Sequence, residues 1–132
     1  MEKKFRMLVI NPGSTSTKIA VFENTQQIFE KKLMHSAEEI GQFERVVDQY
    51  EFRKKNIIDA VNENNMDLSE FDAVMGRGGL TQPVVSGVYI INEKMLEQVK
   101  SCRYGEHAAN LGPILASEIA GEYNIPSFIA DP

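Results

Sequence analysis

The sequence predicts an α/β domain in which a three-stranded antiparallel meander is followed by βαβαβ with parallel strands. Three observations carry this expectation. Two apolar runs, Met7 to Ile10 and Ile19 to Phe22, flank the polar turn Asn11-Pro-Gly-Ser-Thr-Ser-Thr-Lys18, and a third strand-like run, Gln26 to Met34, follows closely. A long stretch with apolar residues at three- and four-residue spacing then separates the meander from a short apolar run, Phe71 to Met75. Strand, helix and strand in that order imply a parallel crossover, and Pro126 to Ala130 supplies one more parallel strand after a second helix.

The turn comes first. Pro12 fixes its own φ and withdraws a backbone donor, and Gly13 can take a positive φ, so the chain can reverse sharply after the first strand. Strand alternation puts Ser14, Ser16 and Lys18 on one face and Thr15, Thr17, Ile19 and Val21 on the other. The polar face can hold a phosphate, because hydroxyls and turn amides give directed donors and Lys18 gives a compact positive charge. The same pattern also describes a solvated hairpin. Neither G-x-x-x-x-G-K-[ST] nor G-x-G-x-x-G is present, and a strand rather than a helix follows the turn, so the P-loop and Rossmann mechanisms do not apply.

Beyond the meander, Ser36-x-x-Glu39 has the form of a capping box. Phe43, Val46, Val47, Tyr50, Ile57, Ile58 and Val61 then fall on one side of a long helix ending near Asn64-Asn65, where asparagine suits a left-handed cap. The charged cluster Glu51, Arg53, Lys54 and Lys55 reads as the solvated face of that helix. Phe71 to Met75 runs into Gly76-Arg-Gly-Gly79, at the carboxyl end of a strand, where open α/β sheets bind ligands. The glycines are expected to leave the Arg77 guanidinium unobstructed and to let a ligand approach the backbone, so that Arg77 holds a carboxylate or acyl phosphate with paired hydrogen bonds. The alternative is a surface arginine in a flexible loop. Val84 to Ile91 reads as a small hairpin or flap. Asn92 is the expected N-cap of a helix over Glu93 to Ser101, with Met95, Leu96 and Val99 facing inward. A loop, Arg103 to His107, precedes a helix from Ala108 to Tyr123 whose buried stripe is Leu111, Leu115, Ile119 and Tyr123, with Pro113 tolerated near its start. Ala108, Ala109, Gly112 and Ala116 predict close packing on the sheet or another helix.

Composition sets the outer bounds. The 132 residues suit one domain; 42% are hydrophobic and 25% charged, as in an ordinary globular protein. A net charge of −5 with a pI near 5.1 argues against nucleic-acid or anionic-membrane partners. No run is apolar enough for a membrane span, and the start lacks a signal-peptide pattern, so the expected location is cytoplasmic. The single cysteine, Cys102, fits a reducing compartment, and with only two histidines beside it a structural zinc site is not expected.

Asn11, Gly13, Ser14, Ser16 and Lys18 resemble the Asn-x-Gly-Ser-x-Ser-x-Lys element of the acetate and butyrate kinases, members of the larger sugar kinase, Hsp70 and actin superfamily. Three further segments are similar in the same order: AVMGRGG, EHAANLGPILASEIA and FIADP. The resemblance covers essentially the whole chain, and the form NPGSTSTK looks like the butyrate kinase branch. It implies a ribonuclease H-like (actin-like ATPase) domain spanning residues 1–132, the first of two domains with ATP between them, the second being absent from this sequence.

Carried over by position, the resemblance implies that Asn11 helps place Mg²⁺ and the attacking oxygen, and that Ser14, Ser16 and Lys18 contact nucleotide phosphates. Arg77 binds the acyl carboxylate or acyl phosphate, Asp131 is the acidic residue required for catalysis, and His107 or Asn110 lies near the transferring phosphate. In the acetate branch the corresponding motif is His-Asn-Pro-Ala-Asn, which leaves His107 one position late. Gly79 stands where the acetate branch has valine, making room for a longer acyl chain. The implied reaction is butyryl phosphate and ADP giving butyrate and ATP, reversibly, with Mg²⁺, in a homo-oligomer at full length. Without the second domain, the chain alone is expected to have little or no kinase activity. Two other readings stay open on the sequence: a non-catalytic actin- or Hsp70-like nucleotide-binding or interaction module, and a plain structural domain.

Overall fold

The computed structural model describes residues 4–77, 88–101 and 107–130. Strands β1 (Arg6–Pro12), β2 (Ser16–Glu23) and β3 (Gln26–Met34) form the meander, with Asn24 at φ 56° turning β2 into β3. A short helix α1 (Ala37–Gly41) and a longer α2 (Tyr50–Glu63) lead to β4 (Ala73–Arg77), and an edge strand β5 (Val88–Ile90) precedes α3 (Glu93–Lys100), α4 (Leu111–Glu122) and β6 (Ser127–Ala130). The six-stranded sheet has the order β3-β2-β1-β4-β6-β5. β1 is antiparallel to β2 and parallel to β4, β4 is parallel to β6, and β5 closes the edge antiparallel to β6. The meander and the parallel β1-β4-β6 core are thus as the sequence predicts. Val88–Ile90 is one edge strand; the remainder of the expected hairpin, from residue 84 to 87, lies outside the described residues.

Strand alternation decides which face is covered. Leu8 and Ile10 of β1, Ile19 and Val21 of β2, Val74 of β4 and Ile129 of β6 are all fully buried, and the first five form one core cluster with Ile57 and Val61 of α2 and Leu111, Leu115 and Ile119 of α4. The alternate positions Asn11, Lys18 and Arg77 are exposed on the opposite face.

The stretch expected to be one long helix is three pieces. The Ser36 capping box is present: Ser36 Oγ accepts from the Glu39 amide at 3.1 Å and Glu39 Oε1 from the Ser36 amide at 2.9 Å. The helix it begins stops after Gly41. Arg45 is extended (φ −115°, ψ 147°), and a 3-10 turn at Val46–Gln49 leads into α2. Gly41 is a poor helix former, and no residue of α1 is buried, so no core packing carries the helix past it. At the far end, Asn65 takes φ 61°, the left-handed cap expected there.

Asn92 Oδ1 caps α3 by accepting from the Met95 amide at 2.9 Å, and Val99 packs with Val47 and Ile114 of α4 in a second small cluster. The small residues of α4 serve its approach to the sheet. A Cβ placed on Gly76 would lie 2.2 Å from the Gly112 carbonyl oxygen, and one on Gly112 would lie 2.3 Å from that of Arg77. Gly76 is therefore there for backbone contact with α4 and is buried, which corrects the expectation that it opens a path for ligand.

Candidate active site

Three of the expected site residues form one row across the sheet. Asn11 pairs with Lys18 across β1 and β2, Ile10 pairs with Gly76 across β1 and β4, and Arg77 follows one residue on, opposite Ala130 of β6. All of this lies at the carboxyl ends of the parallel strands, where an α/β sheet presents its ligand groups. Asn11, Lys18 and Arg77 line one shallow cavity of about 170 Å³, with Val9, Phe22 and Glu30 in its wall. Lys18 Nζ lies 3.5 Å from Glu30 Oε1, and both side chains are close to half exposed. Such a pair contributes little and exchanges readily with a bound anion.

The turn joining β1 and β2 adjoins this row, and its carbonyls are all tied down. The Gly13 amide donates to the Ser16 carbonyl at 2.7 Å, and the His35 amide donates to the Thr15 carbonyl at 2.9 Å. The remaining carbonyls are held by Arg53, reaching up from α2: Nη1 donates to Gly13 O at 2.7 Å and Ser16 O at 2.9 Å, and Nη2 to Ser14 O at 3.1 Å. Gln49 Oε1 accepts from Nη2 at 2.8 Å and from Nε at 3.1 Å. Arg53 is 0% exposed, so the expectation of a solvated charged face fails for it. Glu51 and Lys55 are exposed, and Lys54 pairs with Glu122 of α4. Burial lowers the Arg53 pKa to about 10, which leaves the guanidinium charged at neutral pH. The signal for this residue was its spacing. Arg53 lies seven residues after Val46 and four before Ile57, on the stripe that faces the core.

Thr17 and His35 complete the support. Thr17 is fully buried, as alternation predicts; its Oγ1 accepts from Arg53 Nη1 at 3.3 Å and lies 2.8 Å from His35 Nε2. The threonine hydroxyl, with one donor and two acceptor lone pairs, thus links the guanidinium to the imidazole. Burial, and then the Arg53 charge, lower the His35 pKa.

The other expected residues are distributed differently. Ser14 is exposed in the turn and Ser16 begins β2, on the Lys18 face. His107 is exposed and its Nδ1 accepts from the Ala109 amide at 3.0 Å, capping the 3-10 turn Ala108–Asn110, while Asn110 is fully buried where that turn packs on β1. Gly79 and Asp131 lie outside the described residues. Among the described residues, no group of three His, Cys, Asp or Glu side chains is placed to hold a metal ion, and no helix is long and apolar enough to cross a membrane.

No protein-family model matches the sequence. Butyrate kinase 1 of Clostridium acetobutylicum is 54% identical over 128 residues, which is 97% of this chain and 36% of that protein. The chain therefore spans about a third of the length of that relative. Among solved structures, acetate kinase from Entamoeba histolytica superposes with a TM-score of 0.61 at 15% identity, over 95% of this chain and 35% of that one. A propionate kinase from Francisella tularensis superposes with a TM-score of 0.58 at 18% identity, over 96% and 36%. At such identities the structures speak for the fold, which is ribonuclease H-like with mixed parallel and antiparallel strands. The sequence match thus likens the chain to part of a butyrate kinase, and the fold likens it to part of the acetate and propionate kinases.

Proposed function

We propose that the protein to which this chain belongs is a butyrate kinase. It transfers a phosphoryl group reversibly between ATP and the carboxylate of butyrate or a branched short-chain relative, giving butyryl phosphate and ADP. The observation that carries this reading is the row Lys18, Asn11 and Arg77, two cations and an amide on one cavity at the carboxyl ends of the strands. Phosphoryl transfer needs positioning and charge stabilisation more than covalent chemistry, and this row supplies both.

In this mechanism Arg77 holds the acyl carboxylate, or the acyl phosphate in reverse, with the directional pairing a guanidinium allows. Ser14, Ser16 and Lys18 take the nucleotide phosphates, with Lys18 leaving Glu30 as the anion arrives. Asn11, between the two cations, orients the attacking oxygen, and His107 or Asn110 lies towards the transferring phosphate. Asp131 orients the carboxylate for in-line attack, and Gly79 makes room for the longer acyl chain. Mg²⁺ fits only as an ion carried in on the nucleotide, for which Asn11 offers one amide oxygen; it would neutralise phosphate charge. The protein acts on small molecules in the cytoplasm as a homo-oligomer, with neither nucleic acid nor membrane as partner. These 132 residues form the first of two domains and turn over little or not at all alone.

Steady-state kinetics of the full-length enzyme test the assignment. Arg77→Ala should raise KM for butyrate at least tenfold with a smaller effect on ATP, and Lys18→Ala should do the reverse. Unchanged kinetics in both variants would remove the site from the reaction.

A further inference from the structure

Arg53 is a buried cation whose acceptors among the described residues, namely the carbonyls of Gly13, Ser14 and Ser16, the Thr17 hydroxyl and the Gln49 amide oxygen, are all neutral. With the His35 amide on Thr15, every carbonyl from residue 13 to residue 16 is engaged by the protein. In a trans peptide, the carbonyl of one residue and the amide of the next point in opposite directions. Carbonyls of Gly13 and Ser14 drawn down onto the guanidinium thus turn the amides of Ser14 and Thr15 the other way. An anion needs donors and is repelled by carbonyl oxygens, and a positive charge beneath the turn adds to the attraction.

We infer that Arg53 is the positioning residue of the phosphate-binding turn: it holds the turn's carbonyls inward so that its amides face the nucleotide, and its charge, uncompensated by these neutral acceptors, strengthens phosphate binding from beneath. The inference rests on the kinase reading and deepens it, because it assigns a role in nucleotide binding to a residue that cannot itself touch the nucleotide. Gln49 is the means of separating charge from geometry. Gln49→Glu keeps an oxygen acceptor at the same place on the guanidinium, so the clamp keeps its shape, but it places a carboxylate against the cation and cancels its field.

The test is made in the full-length kinase. Gln49→Glu should raise KM for MgATP about tenfold, leave KM for butyrate within about twofold and leave the melting temperature unreduced. A purely structural clamp predicts wild-type kinetics for this variant, and that result would overturn the inference. Should Gln49→Glu not fold, Arg53→Lys decides. It keeps the charge but cannot span three carbonyls, so a rise in KM confined to the nucleotide supports the inference, and equal or absent effects on both substrates refute it. A wild-type enzyme without butyrate-dependent ATP turnover would end the kinase reading. The same Gln49→Glu comparison, made by calorimetry with inorganic pyrophosphate, would still decide the role of Arg53.

Discussion

Two places at the carboxyl edge of the sheet adjoin the row Lys18, Asn11 and Arg77, and they are secured in opposite ways. The turn after β1 is held by hydrogen bonds: one guanidinium spans three carbonyls, and its own orientation comes from Gln49. The end of β4 is held by shape, with Gly76 and Gly112 so close that neither leaves room for a methyl group. The first arrangement is sensitive to charge and hydrogen-bond count, and the second to volume alone. The row of Asn11, Lys18 and Arg77 thus rests on supports that fail under different perturbations.

Gly76→Ala should do the most damage. Its Cβ meets backbone rather than a movable side chain, so α4 has to shift as a unit, and a loss of about 3 kcal/mol or more is expected from urea unfolding. A loss below about 1 kcal/mol would show that the helix gives way easily and that the contrast between the two supports is overdrawn. Next comes Arg53→Met, which removes the donors and leaves the carbonyls of Gly13, Ser14 and Ser16 short of partners. About 2 kcal/mol is expected in the same measurement, with the fold retained by circular dichroism.

His35 gives the turn, but not the β4 end, a dependence on pH. Burial and Arg53 lower its pKa in the folded state below the ordinary value of 6.5, with Glu39 acting weakly the other way. The unfolded chain then binds a proton before the folded chain does, so stability from this group is fully present above pH 6.5 and is lost as pH falls through the folded value. Melting temperature should therefore decline below pH 6.5, and His35→Gln should flatten that decline. A parallel decline in both proteins would assign it to other groups. Smallest of all is Glu30→Ala. Freed of a surface partner, Lys18 should change unfolding free energy by less than about 0.5 kcal/mol, while KM for MgATP falls slightly.

The sequence was read most successfully where local rules coincide with the fold. β3 runs from Gln26 to Met34, the bounds expected of it, Ser36 and Asn92 cap their helices, and Asn65 ends α2. The positions of Asn11 and Arg77 were legible because each ends an apolar strand, and that of Lys18 because alternation puts it on the polar face at the start of β2. Two features escaped for a common reason. A charged side chain on a helix is normally solvated, and a glycine beside a site arginine normally serves the ligand; Arg53 and Gly76 depart from this because of groups far away in sequence, the turn carbonyls and Gly112. The helix break at Gln42–Arg45 escaped because periodicity records which face is buried, not whether the backbone is continuous.

That break sets how the protein tolerates changes in length. A residue added between Gly41 and Arg45 is taken up in irregular chain, whereas one added after Tyr50 but before Arg53 rotates everything beyond it by about 100°. Ile57 and Val61 would then be forced off the core, or, if they kept their places, Arg53 would stay beneath the turn and Gln49 would swing out of its reach. Indels in this family are therefore expected to gather on the N-terminal side of Val46 and to avoid α2, a bias that comparing the lengths of related genes would expose.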